Sequence, residues 1–328
     1  MATQPRICIG VPVYNGGVLF QEMIDSLLAQ TYGDFEIFIA DNCSTDATEE
    51  VARAFAARDR RVHYHRNATN IGASPNFNRV LELAGKCDYF KWAAHDDLYR
   101  PAWLERCVQV LNAEPDVVLA YTIVEVVDET DDHLLSKHPF YKFGCLDSTT
   151  DEHGRPVWKM GPLHLAETSD PAARYDEFLN RMVACFPIFG LIRADVLPGT
   201  GLHRSYFGSD RTLLGELVLR GRFRQVGEQL YVNRYHKSVG RLVPSNKQQA
   251  WIGSGSGSRL SPQILQYADL LRAPFAAGLP AADSVRCFAV AATHIARRQA
   301  GRLARRVLPA VAYPAAMRRA PSGPPAKP

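Results

Sequence analysis

The feature that most constrains the fold is an alternation, from residue 6 to about residue 121, of short apolar runs with helical periodicity. The runs are rich in β-branched and aromatic residues and occupy 7–13, 35–40, 62–65, 89–93 and 117–121. Runs that are apolar on both faces are typical of parallel strands covered by helices on both sides. We therefore predict an α/β fold with a mostly parallel sheet and flanking helices.

The segments between these runs carry apolar residues three and four positions apart. Phe20, Ile24 and Leu27 share one such helical face, and similar faces follow the second and third runs. Proline at the first helical position is a common start signal, so Pro75 and Pro101 each predict a helix beginning at that point.

The regularity weakens after residue 121. We predict an irregular insertion, then an apolar run, a helix, a pair of strands, a Gly/Ser linker, and a helical extension with a disordered tail. The insertion occupies 128–168, the apolar run 186–192, the helix 210–220, and the strand pair 223–226 with 229–235. The linker is 253–258, and the extension and tail occupy the remainder to residue 328.

Composition excludes several classes of protein. Seven scattered cysteines without a C-x-x-C spacing argue against a zinc site or a disulfide framework. A net charge of +4 is mild, and we expect no nucleic-acid partner. No secretory signal and no stretch of roughly 18 apolar residues is present. We expect a cytoplasmic protein, with possible peripheral contact at the inner face of the cell membrane.

Polar residues follow each of the first four predicted strands. Asn15 comes after the first, Asp41 ends the second, Asn70 follows the third, and Asp96 with Asp97 follows the fourth. In parallel α/β sheets the ligand binds where the carboxyl ends of the strands converge. These side chains are therefore expected to line one site.

Two adjacent carboxylates at a strand end suit a hard divalent cation, and Mg²⁺ or Mn²⁺ commonly reaches substrate phosphates through one or two carboxylates. Asp96 and Asp97 are our candidates for that role, while Asp41 could accept hydrogen bonds from a nucleotide base or ribose. Structural roles remain open for others: Asp46 as a helix cap, Asn70 and Gly72 as turn residues.

The sequence resembles the inverting glycosyltransferases of family 2, which have the GT-A fold. Four motifs in order carry the resemblance: Val11-Pro12-Val13-Tyr14-Asn15-Gly16, Asp41-Asn42-Cys43-Ser44-Thr45-Asp46, Asn70-Ile71-Gly72-Ala73, and Asp96-Asp97-Leu98-Tyr99-Arg100-Pro101.

This resemblance implies a nucleotide pocket and a metal motif. By position, the pocket would be lined by Pro12, Tyr14, Asn15, Asp41, Asn70, Gly72 and Asp96, and the metal, Mn²⁺ or Mg²⁺, would be held by Asp96, Asp97 and His236. The chain departs from the common form at Ala94 and His95, where the family often has a further acid.

The resemblance also implies metal-assisted, inverting displacement, with Asp210 at the start of a helix as the base that deprotonates the acceptor hydroxyl. Arg234 and Lys237, beside His236, could contact phosphate. The Gln-x-x-Arg-Trp motif of processive members is absent, so addition of one sugar at a time is expected.

The implied partners are a donor of the UDP, GDP or dTDP type and a glycan or lipid-linked acceptor. Residues 1–125 would form the nucleotide-sugar-binding half of the domain, 126–245 the acceptor and base half, and 246–328 the linker, basic extension and tail. Arginines among apolar residues in that extension suggest an amphipathic helix that could contact a membrane surface.

Three other functions compete with this one. A nucleotidyltransferase should carry a Gly-rich loop with Arg and Lys after the first strand, and a dinucleotide-dependent oxidoreductase should carry Gly-x-Gly-x-x-Gly there. The turn Tyr14-Asn15-Gly16-Gly17 has neither. A non-catalytic glycan- or nucleotide-binding protein with the same fold stays open.

Overall fold

The computed structural model describes residues 6–129, 145–150, 154, 156–160, 164–182, 184–236, 251–253 and 260–307. These residues form a ten-stranded mixed sheet with helices on both faces. The strands are β1 (Ile7–Val13), β2 (Phe35–Asp41), β3 (Val62–Arg66), β4 (Tyr89–Trp92), β5 (Leu98–Tyr99), β6 (Val117–Asp128), β7 (Cys145–Thr150), β8 (Pro156–Met160), β9 (Leu191–Arg193) and β10 (Arg222–Tyr235).

The main path of the sheet runs β3-β2-β1-β4-β9-β6-β10-β5, with β8 and then β7 added beside β6. Strands β1 to β4 are parallel where they pair, and β6 is parallel to β10. The short β9 lies antiparallel between β4 and β6. Because β9 is antiparallel to both of its neighbours, β6 runs in the same direction as β4. Strands β1 to β4, β6 and β10 therefore all end at one edge of the sheet, which we call the carboxyl edge.

The described helices are α1 (Gly17–Leu28), α2 (Thr48–Arg58), α3 (Ala73–Ala84), α4 (Trp103–Ala113), α5 (Pro171–Arg181), α6 (Ser209–Arg220), α7 (Pro262–Ala276) and α8 (Ala281–Val307). Helices α1, α2 and α4 pack on one face of the sheet, and α3, α5 and α6 on the other. The predicted α/β class is confirmed.

Period-two alternation divides the buried strand residues between these faces. In β1, Ile7 and Ile9 pack toward α1 and α2, whereas Cys8 packs toward α3. Every residue of β1 is buried. A strand covered on both sides needs apolar side chains at successive positions, which explains why its sequence shows a continuous apolar run.

Several predicted boundaries were wrong. Helix α3 begins at Ala73, with Gly72 as its N-cap, so Pro75 lies inside the first turn. Helix α4 begins at Trp103 and leaves Pro101 in the preceding turn. A strand pair was expected at 223–235, but β10 is one continuous strand with irregular register around Val226–Gln229.

The segment 128–168 was expected to be irregular, yet its described part contains β7 paired with β8. The run 186–192 is not one strand: a short 3-10 helix at Phe186–Phe189 precedes β9. The second error arises because short apolar runs do not distinguish strand from tight helical turn by periodicity. The first arises because the mixed composition of 128–168 carries no clear strand pattern.

Helices α7 and α8 form the expected C-terminal extension. Leu270 and Ala273 of α7, with Cys287 and Ala291 of α8, are buried against α5 and α6. Most of the predicted Gly/Ser linker and the predicted disordered tail lie outside the described residues. Among the described helices, none is both long enough and apolar enough to cross a membrane.

Candidate active site at the carboxyl edge of the sheet

The loop after β1 is joined to the loop after β2 by hydrogen bonds. The Asn15 backbone N–H donates to Ser44 Oγ at 2.9 Å, and the Thr45 N–H donates to Asn15 Oδ1 at 2.8 Å. Asn15 has a positive φ of 53°, which an asparagine tolerates. Pro12 is buried, whereas Tyr14 is 42% exposed at the edge. The structure therefore places an accessible aromatic ring beside a rigid double loop.

Asp46 makes the structural contacts that the helix-capping alternative predicts. Its carboxylate accepts hydrogen bonds from the Thr48 N–H, in the first turn of α2, and from the Gly17 N–H, in the first turn of α1. Burial raises the pKa of this carboxyl, but these hydrogen bonds outweigh burial and lower it. One side chain thus stabilises the beginnings of two helices.

Asp41 ends β2 fully buried. Its Oδ1 accepts from the Ser44 N–H at 2.8 Å, and its Oδ2 accepts from the Tyr64 hydroxyl and from Arg66 Nη1, both at 2.7 Å. Burial and the hydrogen bond to Asp41 raise the pKa of Tyr64. A ligand at this position would meet the partly exposed Arg66 before it met Asp41 itself.

Asn70 and Gly72 lie in a turn held by asparagine side chains. Asn70 Oδ1 accepts from the Gly72 N–H at 2.9 Å and from Asn42 Nδ2 at 2.8 Å. Gly72 has a φ of 88°, and a Cβ built there would lie 2.1 Å from Gly253 Cα. The segment 251–253 therefore packs directly on this turn.

We expect Gly72→Ala to lower the free energy of unfolding by roughly 2–4 kcal/mol, because it adds backbone strain at positive φ and a clash with Gly253. Thermal or urea unfolding measures this loss. Gly85→Ala, at the other end of α3, is the matched control: φ is 63° but no atom lies within 4 Å of the added Cβ. Equal losses for both variants would show that the Gly253 contact contributes nothing.

Asp97 is buried and its two oxygens are occupied by β10. Oδ2 accepts from the Tyr231 hydroxyl, while Oδ1 accepts from Asn233 Nδ2 at 2.9 Å and from the Arg234 N–H at 3.0 Å. Burial and the charge of Asp96 raise the pKa of Asp97 to about 7, against these donors. Both oxygens of Asp97 are therefore engaged by β10.

Asp96, unlike Asp97, is partly exposed to solvent. Its Oδ2 lies 2.9 Å from His236 Nε2, and both side chains are 15% exposed. Burial raises the pKa of Asp96, but the charges of His95 and His236 and the hydrogen bond from His236 outweigh burial and lower it. An ionised carboxylate and an imidazole therefore lie together and within reach of solvent, at the end of β4 and the end of β10.

Arg234 holds this loop against the first helix. Its Nε donates to the Asp96 carbonyl, its Nη1 pairs with Glu22 and its Nη2 donates to the Leu19 carbonyl at 2.8 Å. The side chain is only 3% exposed. The expected phosphate contact is therefore wrong for Arg234 in this conformation, because all three nitrogens are used inside the protein. Lys237 lies outside the described residues.

If Asp96 holds the metal that the family resemblance implies, Arg234→Met should lower kcat/KM about 10–100-fold, the usual effect of losing a residue that orients a metal ligand. Arg234→Lys should recover part of this loss, since it keeps the charge but not the planar fork. Steady-state kinetics measures both. Arg106→Met, which removes a surface pair with Glu228, is the control and should leave kcat/KM unchanged. A lysine variant as impaired as the methionine one would argue against positioning by charge.

A buried lysine lies beneath this loop. Lys91 of β4 is fully buried, donates to the Phe189 carbonyl, and lies 3.9 Å from the ring centroids of both Tyr99 and Trp103. Burial lowers the pKa of Lys91 well below its usual value. The aromatic rings replace part of the lost hydration of the cation.

Asp210 lies in the first turn of α6. The C-terminal end of α6 leads into Arg222, whose N–H donates to the Asp116 carbonyl just before β6 begins. Because α6 packs along β6, its N-terminal end lies toward the carboxyl edge. Asp210 and the neighbouring Arg211 are partly exposed, whereas the next eight residues of α6 are buried. In the described part of the chain, no hydrogen bond joins Asp210 or Asp41 to Asp96.

Part of the chain matches a known protein family. Residues 8–164, nearly half of the chain, match the family described as Glycosyl transferase family 2. These residues belong to glycosyltransferase family 2. The family 2 region contains β1, apart from Ile7, and the strands β2 to β8, together with all four sequence motifs, and it ends before α5.

Relatives of the family 2 region come from several bacteria. An uncharacterized glycosyltransferase of Rickettsia typhi is 32% identical over 140 residues, which is 42% of each chain. Glycosyltransferase GlyG of Streptococcus pneumoniae is 32% identical over 114 residues, 34% of this chain and 38% of GlyG. The chain thus matches less than half the length of either relative.

Among solved structures, S. aureus TarS residues 1–349 in complex with UDP-GlcNAc has a TM-score of 0.59, with 14% sequence identity. The superposition covers 88% of this chain and 72% of that one. It therefore extends well beyond the family 2 region. The predicted GT-A fold is confirmed.

Proposed function

We propose that this chain is a glycosyltransferase that moves a sugar from a nucleotide-diphosphate donor to an acceptor hydroxyl. The observation that carries the proposal is the Asp96–His236 pair, 2.9 Å apart and partly exposed at the carboxyl edge. Tyr14 and the double loop after β1 and β2 lie at the same edge of the sheet. Family 2 membership of residues 8–164 supports the same activity.

The residues present fit a divalent cation bound jointly with the donor. The described residues contain no cluster of three or more His, Cys, Asp or Glu able to hold a metal by themselves. Mg²⁺ and Mn²⁺, however, commonly take only one or two protein ligands and complete their coordination with water and substrate phosphates. Asp96 and His236 would be those ligands, with Asp97 fixing the loop through β10. When bound, such a cation neutralises charge on the departing diphosphate.

For the nucleoside, we propose that Tyr14 and Arg66 form the contact surface. Tyr14 offers an exposed ring against which a base can stack. Arg66 is held at 2.7 Å by Asp41, so its orientation is fixed before any ligand arrives. Asp41 thereby acts on the base largely through Arg66. Pro12, Asn15, Asn70 and Gly72 shape the surrounding loops.

For the transfer step, we propose Asp210 as the base that accepts the proton of the acceptor hydroxyl. It lies at the helix end nearest the carboxyl edge and is partly exposed. Attack by the deprotonated oxygen at the anomeric carbon, opposite the leaving diphosphate, inverts the configuration. A glycan or lipid-linked acceptor, one sugar per reaction, and peripheral contact with the inner face of the membrane complete the proposal.

Calorimetric titration with UDP, GDP and dTDP, each with and without Mn²⁺, tests this function. UDP is titrated first, because the structure of TarS, which shares the fold, is a complex with UDP-GlcNAc. We expect one diphosphate to bind, with affinity lost when EDTA removes the metal, and the matching monophosphate to show little metal dependence. Absence of binding by all three nucleotides would contradict the proposal and favour a non-catalytic protein of the same fold.

A further inference from the structure

The outer face of the C-terminal extension exposes an aromatic pair that the fold leaves uncovered. Phe275 of α7 and Val285 of α8 are each 60% exposed, and Phe288 is 39% exposed. The ring centroids of Phe275 and Phe288 are 5.7 Å apart. We call these three residues the terminal apolar surface. Contiguous exposed apolar side chains usually mark an interaction site.

This exposure follows from the way α8 packs. Cys287, Ala291 and His294 are buried against the body of the protein, and they recur at the three- and four-residue spacing of one helical face. Val285, Ala289 and Ala296 recur on the opposite face and are exposed. The extension thus presents a second apolar stripe directed away from the core.

The charged residues of α8 are mostly of one sign. Residues 281–307 contain six arginines and a single acid, Asp283. Asp283 is paired with Arg286, which also binds Asp170. Arg297 on α8 and Arg272 on α7, three residues before Phe275, are exposed and form no ion pair with any other described residue. Their charge is available to a partner.

We propose that the terminal apolar surface and these arginines dock the protein on an anionic lipid bilayer. Apolar side chains beside cationic ones match an interface where acyl chains lie next to negative headgroups. A second copy of this chain fits less well, because pairing two such surfaces would bring the arginines of both copies together. This inference rests on the membrane contact within the proposed function and assigns that contact to particular residues.

Flotation of the full chain with lipid vesicles tests the assignment without any sugar donor. We expect binding to phosphatidylcholine vesicles that contain phosphatidylglycerol, weak binding to phosphatidylcholine alone, and loss of binding at high salt. The double variant Phe275→Ser/Phe288→Ser should bind roughly tenfold more weakly or worse. Both side chains are exposed, so thermal unfolding should remain close to that of the unmodified chain.

A charge variant and its control separate electrostatics from packing. Arg272→Gln/Arg297→Gln should weaken binding to the anionic vesicles, whereas Arg53→Gln/Arg58→Gln, on the exposed side of α2, should not. Equal binding by the unmodified chain and the phenylalanine variant would overturn the proposal, as would binding to neither vesicle. Sedimentation that shows self-association abolished by the phenylalanine variant would assign the surface to a second copy instead. Nucleotide titration of the same variants shows separately whether the donor site is intact.

Discussion

Asp96→Ala is expected to lower the rate of metal-dependent donor turnover by roughly 10³-fold. A divalent cation that neutralises a leaving diphosphate contributes several kcal/mol to the transition state, and each 1.36 kcal/mol is about tenfold in rate. Asp96 is the only carboxylate of the adjacent pair that faces solvent, since Asp97 is bound by Tyr231, Asn233 and Arg234. Turnover of the donor identified by titration, followed over a range of Mn²⁺ concentrations, measures the loss.

The controls for this variant distinguish metal binding from folding. Asp25→Ala removes an exposed carboxylate on α1 whose one ion-pair partner among the described residues is Arg58, and should leave turnover unchanged. Asp97→Ala should instead lower the free energy of unfolding by roughly 2–5 kcal/mol, because it leaves buried donors on β10 unpaired. If Asp96→Ala kept normal Mn²⁺-dependent turnover while Asp97→Ala stayed fully folded, the division of roles between the two carboxylates would be wrong.

Asp210→Asn is expected to reduce transfer about 10²–10⁴-fold, the range for loss of a general base, while donor affinity stays nearly unchanged. The amide keeps the size of the side chain and can still accept from the Arg211 N–H, so α6 should remain intact. Single-turnover transfer to acceptor gives the rate, and calorimetry with the nucleotide gives the affinity.

The transfer rate and the nucleotide affinity of Asp210→Asn together decide the role of Asp210. A parallel loss of nucleotide affinity would mean that Asp210 supports the donor site and is not the base. Unchanged transfer would mean that another group removes the proton. Asp195→Asn, an exposed acid in the 3-10 turn before the loop that leads to α6, serves as the control and should match the unmodified chain.

Sequence reasoning could locate the site because it depended on local signals. The strand ends at Asp41 and at Asp96 follow from apolar runs, and parallel strands bring such ends together at one edge. The sequence did not predict which of the two carboxylates points toward solvent and which is buried. Asp96 and Asp97 are adjacent in sequence, yet one faces solvent and the other is buried.

That difference arises from a pairing far along the chain. The two-residue β5 begins directly after Asp97 and pairs antiparallel with β10, so that Tyr231 lies opposite Tyr99. Tyr231, Asn233 and Arg234 were therefore not predicted to position the candidate site. A signal was present in the sequence, because Tyr231 and Asn233 are polar residues two positions apart on an apolar strand and so point to the same face. Arg66 was missed in the same way, because its contact with Asp41 depends on the register of β2 with β3.

The pairing of β5 with β10 also sets when the pocket can form. A nascent chain that has reached residue 164 already contains every motif of the family 2 region, including both aspartates. It lacks the three donors to Asp97 and the imidazole beside Asp96, which arrive some 70 residues later. Closing so distant a contact is slow compared with forming local helices. The candidate site can therefore be complete only once β10 has joined the sheet, because β10 and the residue after it supply every one of these contacts.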